Sequence, residues 1–241
     1  MIAGPDVTII TMRRAIAYTI AALGAAAEID FDLDEDKKKA LAAEKTPLEP
    51  FVAALREAER AIEDYDLSDG LALQARVVLG DGVLDRGVRV GNGKTKIALK
   101  SKGGLDATHV FGTQVSELTD APLKIEPAKV IAAMGRMADL AEFPERAAIV
   151  ADLEKRAHQQ EALLGARDKG HLAENKLLST ARKRVIDASD ALAKTKAALD
   201  GLFPRQRLYV ATFFLDTSHG HTRRTSAPSE THGGAGVSAP K

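Results

Sequence analysis

Apolar residues return along this chain mostly with the pitch of an α-helix, and the longest such pattern lies towards the C-terminal end. There Val150, Ala157, Leu164, His171, Leu178, Val185, Leu192 and Leu199 stand seven residues apart. Their companions are Leu153, Gln160, Arg167, Glu174, Ala181, Ala188, Thr195 and Leu202. The result is a heptad seam, apolar at both ends and polar in the middle. The polar stretch coincides with Gly165-Ala166-Arg167-Asp168-Lys169-Gly170. Two glycines bracketing polar residues predict the turn of an antiparallel helical hairpin over 144–202, with one continuous helix carrying a polar layer as the alternative.

Earlier segments show the same pitch with recognisable start signals. The run Thr46-Pro47-Leu48-Glu49 reads as a capping box, with Thr46 as N-cap and Pro47 in the first turn, opening a helix to about Tyr65. Ser68-Asp69-Gly70 predicts its break. A first helix over about 15–27 and a short one over 36–45 precede it, and Pro127 opens another whose apolar face is Val130, Ile131, Met134 and Met137.

The stretch 76–100 divides local propensity from pattern. Glycines 80, 82, 87, 91 and 93 look like turns between short Val-rich strands, a small β-meander. Projected at about 100° per residue, however, Leu79, Val83, Leu84, Val88, Val90, Ile97 and Leu99 fall in one sector. Gly80, Gly87, Gly91 and Ala98 lie near its centre, where small side chains let another helix approach, and Asp85, Arg86, Arg89, Asn92, Lys96 and Lys100 fill the opposite side. A helix is therefore expected, with the meander as alternative. Gly103-Gly104 closes this element, and Gly201 and Pro204 close the last long one. The segment 208–215, with Tyr209, Phe213 and Phe214, reads as a piece docking on the core or as an aromatic anchor for a partner. The segment 216–241 has almost no apolar content and is expected to be disordered. Together these readings predict a mainly α helical bundle over 1–215 with a polar tail.

Composition strengthens this picture. The hydrophobic fraction of 45% rests on Ala and Leu, with no Trp and only 4% aromatics, a balance typical of helix packing. Lys plus Arg and Asp plus Glu are equal at 34 each, so a charge-driven partner must find a local patch. The chain has no cysteine, which excludes disulfides, thiolate catalysis and cysteine-ligated metals. No apolar run is expected to reach the length of a membrane span. Met12-Arg13-Arg14 followed by 15–27 fits an export signal if translation begins at Met12; otherwise the expected location is cytoplasmic.

Each candidate for chemistry is incomplete. The acidic run over 30–36 lacks the Gly and Glu of a calcium loop. Gly91-Asn92-Gly93-Lys94-Thr95 ends like a phosphate-binding loop, but the position requiring the first glycine is Val88. His158 with Glu154 and Glu161, and Asp168 with His171, match solvated helix faces better than metal sites, since no Glu-x-x-His is present. No Gly-x-Ser-x-Gly elbow occurs. No catalytic residue, cofactor or metal ligand is assigned. Arg86, Arg89, Lys94, Lys96, Lys100 and Lys102 form a basic run, Arg182, Lys183 and Arg184 a smaller one, and Ser218-His219-Gly220-His221 and Arg223-Arg224-Thr225-Ser226 are weak tail motifs. The expectation is a structural or protein-interaction protein, possible as a homo-oligomer. Its candidate contact residues are Arg86, Arg89, Lys96, Lys100, Tyr209, Phe213 and Phe214. A nucleic-acid-binding module using the 86–102 face, or an enzyme of unrecognised class, are the alternatives.

Overall fold

The computed structural model describes residues 3–30 and 33–216, and these are mainly helical, with no strand among the described residues. The expected tail and its His and Arg motifs lie outside the described residues, apart from Asp216. The mainly α reading of the chain holds, including the stretch 76–100. The described residues form two compact units, one drawn from the segments up to 53 and from 185 to 216 and one of 54–184.

In the first unit, α1 (Ile9–Ile29) starts at Thr8, whose side chain accepts the Thr11 amide at 3.2 Å. Its buried positions, Met12, Ala15, Ile16, Thr19, Leu23 and Ala26, recur at three and four residues, the spacing of a single helix face. By length and composition alone α1 could cross a membrane, which the expectation of no such run missed. Core helices and export signals have the same composition. Helix α2 (Glu35–Lys45) is capped by Asp34, which accepts the Lys37 amide at 2.8 Å. The capping box at Thr46 does not form. Thr46 keeps helical dihedrals as the C-cap of α2, Leu48 turns into the core, and α3 (Glu49–Tyr65) begins only at Glu49.

The C-terminal part of this unit is the end of α8 (Arg146–Leu202) and the short α9 (Arg207–Thr212). Val185, Ala188, Leu192, Thr195 and Leu199 are buried in heptad register. Phe203, Tyr209 and Phe213 form an aromatic cluster, with Tyr209 edge-on to Phe203 at 5.0 Å and to Phe213 at 5.2 Å. The Tyr209 hydroxyl donates to Asp30 at 2.8 Å.

In the second unit α3 does not break at Ser68-Asp69-Gly70. A π-helical turn, Asp66–Gly70, absorbs these residues, and α4 (Leu71–Leu99) continues directly from it. Short helices α5 (Thr108–Phe111) and α6 (Ser116–Thr119) lead to α7 (Glu126–Gly135), and α8 follows. Gly112, at φ 81°, bends the chain after α5. The core joins Leu84, Val88, Phe111, Val130, Met134 and Leu153, all at most 2% exposed. Arg136 ties α7 to α5 by donating to the carbonyls of His109 (3.0 Å) and Val110 (2.8 Å).

The predicted hairpin is not formed: 146–202 is one continuous helix of 57 residues. Gly170 is small because Tyr65 and Leu73 press against it; a Cβ there would stand 2.8 Å from the Tyr65 hydroxyl and 2.5 Å from Leu73. It is a packing glycine inside a helix, and Gly165, with nothing within 4 Å, has open space instead.

Candidate interaction surface

The inner side of α4 is a glycine ridge against α8. A Cβ on Gly80 would collide with Gln160 and Leu163, one on Gly87 would stand 3.0 Å from Leu153, and one on Gly91 would meet Leu153 at 3.0 Å and Ile149 at 3.2 Å. The five glycines that argued against a helix are therefore of two kinds. Three admit α8 at close range, and two, Gly82 and Gly93, face open space. Buried Gln160 reaches across to donate to the Val77 carbonyl at 3.2 Å.

Only part of the expected apolar sector is covered. Leu84, Val88 and Leu99 are buried, but Leu79 is 70% exposed, Val83 45%, Val90 50% and Ile97 78%. At helical pitch these four share one strip about 40° wide on the outer side. Arg86 adjoins it, and Arg89, Lys96 and Lys100, exposed as well, follow about 60–100° further round the helix, so the expected basic residues flank a row of bare aliphatic side chains. At its first turns the strip borders a shallow groove of about 330 Å³ lined by Arg76, Leu79, Val83, Arg156, Gln159 and Leu163. Arg156 is held there by Asp152 at 2.9 Å and the Val83 carbonyl at 3.2 Å.

The expected polar side of α4 holds two residues that do not belong to a solvated face. Asn92 is 7% exposed, and Asp85 meets Glu126 together with Asp81. Glu126, the first residue of α7, is 1% exposed. Burial, then the hydrogen-bonded and charged neighbours Asp81 and Asp85, push its carboxyl up to about 9. Asp85 is raised as well, chiefly by burial, with Arg89 opposing the shift and Asp120 adding to it. One Glu126 oxygen and one Asp85 oxygen are buried without a partner. Sequence inspection missed this trio because an acid just before Pro127 reads as ordinary first-turn chemistry.

The remaining candidates are placed as follows. Gly91-Asn92-Gly93-Lys94-Thr95 lies inside α4, and the buried Thr95 hydroxyl donates to the Gly91 carbonyl at 2.8 Å. Its amides are committed to helical hydrogen bonds and cannot wrap a phosphate. His158 pairs with Glu161 at 3.0 Å on an exposed face, His171 with Glu174 at 3.2 Å, and Asp168 with Lys124 at 3.2 Å. Among the described residues no group of three His, Asp or Glu side chains is arranged so that it could hold a metal ion. A cleft of about 480 Å³ lies over the π-turn, lined by Tyr65, Leu71, Leu73, Arg167, His171 and Glu174 among others. Phe213 and Phe214 are buried at 1% and 8% exposure and Tyr209 is half-buried, so these aromatics serve the core of the first unit. No protein-family model matches the sequence, and no curated protein or solved structure is similar to it.

Proposed function

We propose that this chain is a structural or protein-interaction component, and that its second unit presents the outer face of α4 to a protein partner. The observation that carries the reading is the strip Leu79, Val83, Val90 and Ile97, four aliphatic side chains left 45–78% exposed on one line of one helix. Single exposed aliphatics are ordinary, but an aligned row is an unpaid area of contact with water that a partner would remove at roughly 25 cal/mol per Å². The seven-residue step from Val83 to Val90 to Ile97 is also the step by which one helix meets another along a seam.

Hydrogen exchange and light scattering on the wild-type chain and on Leu79→Asp/Ile97→Asp test this. A partner complex or self-association that the double substitution removes supports the reading. An unaltered association, or a monomer whose α4 gains no protection from any protein ligand, refutes it. The exposed Arg86, Arg89, Lys96 and Lys100 favour a second reading, a nucleic-acid interface. Its signature is affinity that falls steeply with salt, and binding that survives charge reversal at Arg89 and Lys96 would eliminate it.

A further inference from the structure

The outer face of α4 carries a charge pattern as well as an apolar one. The helix contains two acids, Asp81 and Asp85, and five bases, Arg76, Arg86, Arg89, Lys94 and Lys96. Both acids are turned towards Glu126. At helical pitch the apolar strip is bordered by Arg76 and Lys94 on one edge and by Arg86 on the other, with Arg89 and Lys96 about 80–100° further round the helix from that second edge. Gly82 and Gly93 lie next to the strip with nothing above them, which leaves room for a second backbone to come close.

These features discriminate between occupants. A second copy of the same face would set Arg76, Arg86 and Lys94 against bases of its counterpart, at the cost that like charges impose across an interface. A single-stranded nucleic acid would use the bases but finds no aromatic ring to stack on and leaves the aliphatic strip wet. Interfacial membrane helices insert Trp, Phe and Leu, whereas three of these four side chains are β-branched. An approaching helix uses every element: the heptad step of the aliphatic row, the two open glycines and the basic borders.

We propose that the outer face of α4, with Leu163 of α8 at its edge, is a docking groove for an amphipathic helix of another protein whose apolar seam is flanked by Glu and Asp. This rests on the interaction reading above and adds the chemistry of the partner.

The test uses the full chain and two synthetic helices about three heptads long, with Leu and Ile at the seam and either Glu or Lys at the flanking positions. The Glu-flanked helix is expected to bind and to protect α4 from hydrogen exchange. Leu79→Asp/Ile97→Asp is expected to weaken it at least about tenfold, as is Arg86→Glu/Lys94→Glu, which in turn accepts the Lys-flanked helix. All four positions are exposed, and unchanged circular dichroism shows that the variants fold. Failure of the Glu-flanked helix, or binding insensitive to these substitutions, overturns the proposal. If the chain instead self-associates through the same residues, the interaction reading stands and the acidic partner does not. If phosphatidylserine vesicles bind and no helix does, both fall, and both fall equally if α4 is protected by nothing.

Discussion

Replacing Glu126 by Gln should make the second unit more stable at neutral pH, and the size of the gain follows from where the carboxyl sits. Glu126 is 1% exposed and shares its site with Asp81 and Asp85, which moves its folded-state value from 4.5 to about 9. Between those limits the native state holds a proton that the unfolded chain has released. The contribution of this group is therefore complete below the unfolded value, near pH 4.5, and declines by about 1.4 kcal/mol per pH unit until it is lost at about pH 9. Asp85, also raised, acts in the same direction. At pH 7.5 the wild type has given up as much as about 4 kcal/mol of stability that it holds at pH 4.5.

Glutamine keeps the volume, needs no proton, and offers an amide donor to the two aspartates. Urea unfolding followed by circular dichroism at pH 4.5, 6 and 7.5 should show wild type and Glu126→Gln nearly equal at the lowest pH and separating as pH rises. The variant should then melt on the order of 10 °C higher at pH 7.5. Leu in place of Glu126 is a weaker test, because it would leave Asp81 and Asp85 without a donor. A gap between Glu126 and Gln that does not widen with pH would refute the reasoning, and so would a variant less stable than wild type at pH 7.5.

Four further outcomes are expected. Gly91→Leu should destabilise by about 2 kcal/mol or more in thermal melts because it drives into Leu153 and Ile149, whereas Gly82→Ala and Gly93→Ala, with open space, should each stabilise by up to about 1 kcal/mol. Gly165→Ala should likewise stabilise the continuous helix while Gly170→Leu destabilises it against Tyr65 and Leu73; if 165–170 were a turn, both would destabilise. Phe111→Ala, at a site with 0% exposure, should cost about 3–5 kcal/mol in urea unfolding. Tyr209→Phe should cost about 1 kcal/mol by removing the 2.8 Å bond to Asp30. Burial, and then the same bond, raise the Tyr209 hydroxyl to about 12. Its contribution should persist below pH 10 and fade towards pH 12, visible in phenolate absorbance at high pH.

What the sequence revealed and what it hid divide along one line. Pitch is a local property, so the helicity of α1, α4, α7 and of the stretch 146–202 was legible from the return of apolar residues, though the continuity of α8 was not, and the heptad positions Val185, Leu192 and Leu199 are buried as their spacing implies. Punctuation is not local. Gly165 and Gly170 look like a turn, Thr46 like a cap and Ser68-Asp69-Gly70 like a break. Yet Gly170 answers to a ring on another helix, Thr46 stays helical while Leu48 is drawn into the core, and the Ser-Asp-Gly triplet is taken up by a π-turn. The Glu126 trio was hidden for the same reason, since Asp81 and Asp85, one turn apart, look like any solvated face until α7 places a third carboxyl on them.

The two faces of α4 show why partial legibility still leads to function. The sequence implied one broad apolar sector with glycines at its centre, and such a sector can be fully buried only if neighbours approach from more than one side. Inside the second unit α8 approaches from one side, over Gly80, Gly87 and Gly91, and covers the half that holds Leu84 and Val88. The other half, Leu79, Val83, Val90 and Ile97, keeps the aliphatic character that the helix does not need for its own packing. A face maintained for folding alone would gain from Lys or Glu at such positions, because solvated polar side chains there cost nothing and improve solubility. Four aliphatic residues in line, with bases rather than acids along both edges, are instead what the proposed docking of another helix requires.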